Sequence, residues 1–168
     1  METERIVVAV DPPATGTKRS DACGIVVAGR AGEGAVVLAD LSFGPARPEE
    51  WARRAVAAFH EFGADCIVAE TNQGGDMVKT VIAQEDADVP VRGVTARRGK
   101  WVRAEPVAAL YANGRVAHRA GLTALEDEMC AFGADGMADG HSPDRVDALV
   151  WALTELMLGG REPRVRGI

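Results

Sequence analysis

The sequence predicts an α/β domain: a mixed five-stranded sheet, strand order 3-2-1-4-5, with helices on both faces. Three observations lead there. The first 43 residues hold three apolar strand-like runs separated only by turns. From residue 44 onward, helical and strand-like patterns alternate. The last stretch before the tail is helical throughout. Strands joined by short turns pair antiparallel, whereas strands joined through a helix pair parallel. A right-handed crossover starting from strand 1 places strand 4 beside it.

The elements follow in order. RIVVAVD (5–11) is a continuous apolar run ended by Asp11, Pro12 and Pro13, which reads as a buried strand. The next segment, PPATGTKRSD, is turn-rich. CGIVVAGR (23–30) and AVVLADLSF (35–43) flank the tight turn AGEG and complete an antiparallel meander. Residues 44–64 form a helix, with Pro48 near its start, acids in its first turn and Gly63 past its end. Trp51, Ala55, Ala58, Phe59 and Phe62 give it one apolar face. Alternation then begins: strand 65–71 (DCIVAET), helix 74–86, strand 89–96 (VPVRGVTA) and helix 101–114, in which Pro106 must sit near the first turn or kink it. A shorter helix at 122–133, a loop at 135–143 and a final helix at 144–160 complete the domain. That final helix turns Val146, Leu149, Val150, Leu153 and Met157 toward the core. The domain is expected to span residues 1–160, with 161–168 (REPRVRGI) as a basic C-terminal tail. This layout is that of the ribonuclease H-like fold.

Composition narrows the class further. The chain has 168 residues, 47% hydrophobic and 26% charged, so one globular domain is expected and a disordered chain is excluded. No apolar run approaches the ~20 residues of a membrane span, and the N-terminus has no basic, apolar leader. Cys23, Cys66 and Cys130 are too scattered for a disulfide framework or a zinc site, so reduced thiols and a cytoplasmic location are expected. The net charge is −6, which alone argues against a nucleic-acid partner. Its distribution argues otherwise. Residues 92–119 carry seven basic groups and one acid, while both flanking segments are acidic. Such a segment is either a solvated face or a phosphate-binding surface.

The chemistry centres on acids. Asp11 closes the first strand and Glu70 the fourth, at matched ends of parallel neighbours, where sheets of this kind place ligands. An ionised carboxylate in VVAVDP or IVAETN is costly to bury unpaired, and two together repel. A hard divalent cation such as Mg²⁺ or Mn²⁺ relieves both costs. A single acid at a strand end reads most simply as a solvent-facing cap; the matched pair with a third candidate favours a metal site. The third comes from HSPDRVDALVWAL. Ser142 or Asp144 can cap the last helix, and Asp147 shares a side with Asp144, roughly opposite Leu149 and Leu153. Three carboxylates suit a two-metal phosphodiester hydrolase, in which paired cations activate water and steady the leaving oxygen. No Walker phosphate loop and no G-x-S-x-G nucleophile elbow occur. TNQGGD (71–76) offers backbone N–H groups for a phosphate or a substrate strand.

Four blocks together, VVAVDPPATGTKRSDACGIVVAG, VAETNQGGDMVKTVI, RGKWVRAEPVAALYANGRVAH and HSPDRVDALVWAL, cover the chain from about Ile6 to Leu156. They resemble the nuclease domain of large terminase subunits, the DNA-packaging enzymes of tailed phages and gene-transfer particles. The resemblance implies metal-dependent endonucleolytic cutting of double-stranded DNA with two divalent cations, Mg²⁺ or Mn²⁺. It implies Asp11, Glu70 and Asp147 as the catalytic, metal-holding acids, with Asp144 and Asp21 in supporting places. It implies Arg97, Arg98, Lys100 and Arg103 as contacts to the DNA backbone; for Trp101, wedging and packing both remain open. Implied partners in the full-length protein are a packaging ATPase domain, a small terminase subunit and the portal. No ATPase sequence is present, so an isolated C-terminal domain with weak or unspecific cutting is expected. A Holliday-junction resolvase or another ribonuclease H-like nuclease shares this chemistry. A catalytically silent docking domain for a packaging motor stands as the non-enzyme alternative.

Overall fold

The computed structural model describes residues 2–13, 22–71 and 76–159. Asp21, most of TNQGGD and the 161–168 tail lie outside the described residues. The element order is β1 (Arg5–Asp11), β2 (Gly24–Ala31), β3 (Gly34–Asp40), α1 (Pro48–Glu61), β4 (Cys66–Glu70), α2 (Asp76–Glu85), β5 (Val91–Val94), α3 (Lys100–Ala112), β6 (Val116–His118), α4 (Thr123–Ala131) and α5 (Asp144–Leu153), followed by a π-helical turn (Thr154–Leu158). The sheet order is β5-β4-β1-β2-β3-β6. β1–β2 and β2–β3 are antiparallel, and β1–β4 and β4–β5 are parallel.

The predicted 3-2-1-4-5 order therefore stands, with one strand added beyond β3. The sixth strand has three residues and pairs parallel to β3. Periodicity cannot mark so short a run, in which Val116 is the one large apolar residue. Tertiary contacts define it instead. The Ala35 N–H bonds the Arg115 carbonyl, the Arg115 guanidinium bonds the Glu33 carbonyl, and the Tyr111 hydroxyl lies 2.6 Å from His118 Nε2. The final helix also differs from its predicted span. Its α-helical part ends at Leu153, and the π turn carries buried Glu155 into ion pairs with Arg5 (3.1 Å) and Arg92 (3.2 Å). A buried acid with two such partners outweighs regular helix geometry there.

Two apolar layers sandwich the sheet. Val7 and Ala9 of β1, Val26 and Ala28 of β2 and Val68 of β4 pack against α3, α4 and α5. Val8, Val10, Ile25, Val27, Ile67 and Ala69 pack against α1 and α2. Burying each large aliphatic side chain stabilises by about 1.5–3 kcal/mol. The two-residue alternation has a direct consequence at the strand ends: Asp11 follows Val7 and Ala9, and Glu70 follows Cys66 and Val68, so both acids fall on the α5 face. The last in-register pair, Val10 with Ala69, puts Asp11 and Glu70 side by side. No helix among the described residues is long and apolar enough to cross a membrane.

Candidate metal centre

α5 delivers the remaining acids. Its first turn rests on β2 at Gly24, the residue opposite Asp11 in the β1–β2 register. A side chain on Gly24 would meet the Asp144 carbonyl oxygen at 2.0 Å, so only glycine permits this approach. Carboxylate oxygens of Asp11, Asp144 and Asp147 consequently lie within 4.8 Å of one another. Glu70, outside that trio, stands at the end of the neighbouring strand beside Asp11, whose pKa its charge helps to raise, and its Oε2 accepts the Trp151 indole N–H at 3.1 Å.

The way α5 is anchored departs from expectation. Neither Ser142 nor Asp144 caps it; Pro143 is the N-cap residue and makes no side-chain cap bond. The cap comes from α4, where Glu128 Oε2 accepts the Val146 N–H at 2.9 Å. Proline cannot continue the ladder backward, and a carboxylate at a helix N-terminus is favoured by the unpaired N–H groups and the dipole. Arg145 pairs with Asp40 at the end of β3 at 2.9 Å and ties the same turn to the sheet. Asp147 is buried with the rest of the helix. Every residue from Val146 to Leu153 is buried, because α5 is enclosed by the sheet, α3 and α4.

The electrostatics are those of an overcrowded anionic site. Asp11 and Asp147 are 8% and 3% exposed. Burial first, then the charges of Asp147 and Glu70, hold the Asp11 carboxyl well above the usual carboxylate range. Burial also raises Asp147, against the pull of Lys100 and Arg103. The Lys100 ammonium lies 2.5 Å from Asp147 Oδ2 and donates to Ser142 Oγ at 3.1 Å. Burial lowers its pKa, but Asp147, Asp11 and Asp144 more than offset this and leave it above the ordinary lysine value. Lys100 is the first residue of α3, where the helix dipole disfavours a cation. The acid cluster is what holds it there. All-oxygen, carboxylate-rich donors suit hard divalent cations, and a cation would relieve the repulsion that raises Asp11.

The four basic residues singled out in the sequence separate into two pairs. Arg97 and Arg98 are exposed in the β5–α3 connection. Lys100 and Arg103 turn toward the acids: the Arg103 guanidinium carbon stands 4.8 Å above the Trp151 ring, and its Nε donates to the Arg98 carbonyl at 3.0 Å. Trp101 is 41% exposed with its ring 5.5 Å from that of Phe132. Beside them a cavity of about 360 Å³ opens between the start of α3 and the 132–143 loop. Cys23 and Cys66 are buried, and burial raises both thiols. Sequence reasoning missed Gly24, Glu128 and Trp151. Gly24 carried one usable signal, a glycine inside a strand pattern, which often marks a close approach of another backbone.

The sequence matches the terminase RNase H-like domain family over residues 8–156. Solved structures share the fold. The large terminase nuclease from thermophilic phage G20c is 18% identical, with 90% of this chain and 82% of that chain covered and a TM-score of 0.67. The human cytomegalovirus terminase nuclease domain, Mn-soaked and inhibitor-bound, is 14% identical over 92% and 83%, with a TM-score of 0.65. The nuclease domain of the large terminase subunit gp2 of bacterial virus Sf6 is 17% identical over 96% and 91%, with a TM-score of 0.62. The phage G20c nuclease has also been seen with bound zinc. No curated protein sequence matches the chain.

Proposed function

The chain belongs to the family of terminase RNase H-like domains, and from that membership we propose that it is a metal-dependent endonuclease that cuts double-stranded DNA during viral-type genome packaging. The observation that carries this reading is the convergence of Asp11, Asp144 and Asp147 within 4.8 Å, with Glu70 at the end of the strand paired beside Asp11. In this reading Asp11, Glu70 and Asp147 are the catalytic acids, and Asp144 stands with them rather than behind them. Two divalent cations, Mg²⁺ or Mn²⁺, bound by these side chains would supply an activated water and charge stabilisation at the leaving oxygen.

The chain's own residues do the rest. Arg97 and Arg98 contact backbone phosphates on the rim, which gives sequence-independent, salt-sensitive binding. Lys100 and Arg103 balance charge next to the acids and meet the scissile phosphate there. The nuclease unit is residues 1–160. It works beside a packaging ATPase domain, a small terminase subunit and a portal, in the cytoplasm where capsids assemble.

The test is Mn²⁺-dependent cleavage of linear duplex, four-way junction and RNA–DNA hybrid by the wild type and by Asp11→Asn, Glu70→Gln and Asp147→Asn. Duplex cutting that each variant loses by about 10²-fold or more is the expected result. Preferential cutting of the junction moves the assignment to a resolvase. Wild-type rates in two of the three variants overturn the acid assignment.

A further inference from the structure

We propose that Trp151 is a positioning residue for Glu70: its indole N–H pins one carboxylate oxygen so that the other edge of the group is presented to Asp11 and to a shared divalent cation. This rests on the metal-centre reading above and adds a residue that no acid motif includes.

The argument starts from residue type. Positions Leu149 to Leu153 of α5 are all buried, and every one except Trp151 is an aliphatic residue. Phenylalanine or leucine would fill the space without bringing a polar atom. A buried indole N–H is costly unless it has an acceptor. Its acceptor is Glu70 Oε2 at 3.1 Å. The indole N–H only donates, so Trp151 orients Glu70 without competing for a cation. The terminal torsion of a glutamate is otherwise broad and roughly two-fold.

The indole is itself held. The Arg103 guanidinium stacks over its face at 4.8 Å, and Arg103 is in turn fixed through the Arg98 carbonyl. The chain of contacts runs from the β5–α3 connection through Arg103 and Trp151 to Glu70 and Asp11. Outer partners of ligating side chains typically contribute 10- to 100-fold in metal affinity, and Trp151 has the geometry of such a partner.

The experiment uses Mg²⁺ as the probe, with calorimetry and ¹H–¹⁵N spectra of the indole groups. The chain has three tryptophans, so Trp51 and Trp101 serve as internal controls. Trp151→Phe keeps an aromatic ring but removes the donor. The expected result is a folded variant that binds Mg²⁺ about ten-fold or more weakly. In the wild type, the indole signal missing from Trp151→Phe shifts with the same midpoint as Mg²⁺ binding, and it shifts in Glu70→Gln without metal. The Glu70→Gln shift assigns the signal to the indole bonded to Glu70; a merely structural tryptophan leaves Mg²⁺ affinity unchanged when its donor is removed. Mg²⁺ affinity within two-fold of wild type in folded Trp151→Phe overturns the proposal. If that variant does not fold, the wild-type spectrum decides alone: a signal with cross-peaks to Arg103 that stays fixed at saturating Mg²⁺ also overturns it. A wild type that binds no Mg²⁺ removes the metal-centre reading and this inference with it, whereas normal binding with an indifferent indole removes only the inference.

Discussion

Gly24→Ala tests whether the acid cluster depends on how closely α5 approaches the sheet. The new Cβ would stand 2.0 Å from the Asp144 carbonyl oxygen, 2.7 Å from its carbon and 3.1 Å from the Ala148 Cβ. Close carbon–oxygen contacts settle near 3.3 Å, so the first turn of α5 must retreat by about 1.3 Å. Backbone is in the way, so no rotamer change relieves the clash. Overpacking of this kind costs about 1–3 kcal/mol. For a domain of this size that lowers the melting temperature by roughly 2–12 °C. The same retreat draws Asp144 and Asp147 away from Asp11, and a displacement near 1 Å at reacting groups costs about 10²-fold in rate. Thermal melting and Mn²⁺-dependent plasmid nicking, assayed well below the variant's melting point, read the two effects. Gly29→Ala is the control on the same strand. Its Cβ would meet the Thr3 side chain at 2.9 Å and the Ile6 side chain at 3.3 Å, so its nearest neighbours are side chains. It should melt near the wild type and cut at the wild-type rate. If Gly24→Ala melts within a degree of wild type and nicks as fast, α5 does not need this contact and the account of the site's geometry is wrong.

Two further predictions follow from the charges. The folded pKa of Asp11 is raised, so its protonated form favours the fold: this contribution is complete below the unfolded value of about 3.9 and is lost as pH rises through the folded one. In EDTA, Asp11→Asn should therefore gain stability relative to wild type as pH rises from 4.5 toward 8, measured as the difference between their denaturation midpoints; a difference that stays flat or reverses defeats the argument. Glu128→Ala removes the α5 cap and should cost about 1 kcal/mol, or roughly 2–4 °C of melting temperature, with Glu128→Gln recovering most of it. Equal melting of Glu128→Ala and wild type would show that Pro143 and the preceding loop close the helix without it.

The sequence makes some of these residues legible and hides others. Asp11 and Glu70 were readable because two-residue alternation is a local rule, and it carried each acid to a strand end on a definite face. The order of the first five strands followed from connection lengths and crossover handedness. β6 was not readable, since three residues carry no period and its position depends on Arg115 meeting the Glu33 carbonyl far away in the chain. The missed cap has the same origin. Capping rules look a few residues back along the chain, whereas Glu128 reaches Val146 from a separate helix, 18 positions earlier. Lys100 and Arg103 were readable as basic, but their direction was not. A charge run shows where cations are, and only the fold shows that two of them face the acids.

These misses share a cause that bears on function. Asp11, Glu70, Asp144 and Asp147 repel one another in a half-dry site, so nothing in their own interactions keeps them together without a cation. They are held by groups that tolerate the strain for separate reasons. Gly24 offers no side chain to resist α5. Glu128 and the Arg145–Asp40 pair fix the first turn of that helix, and Trp151 holds Glu70. Lys100 lends a positive charge at 2.5 Å from Asp147. Such supports can be spread along the chain because each needs contact with only one acid or one turn. A site assembled this way reads in sequence as acids alone, although its geometry depends as much on a glycine, a tryptophan and a borrowed cap.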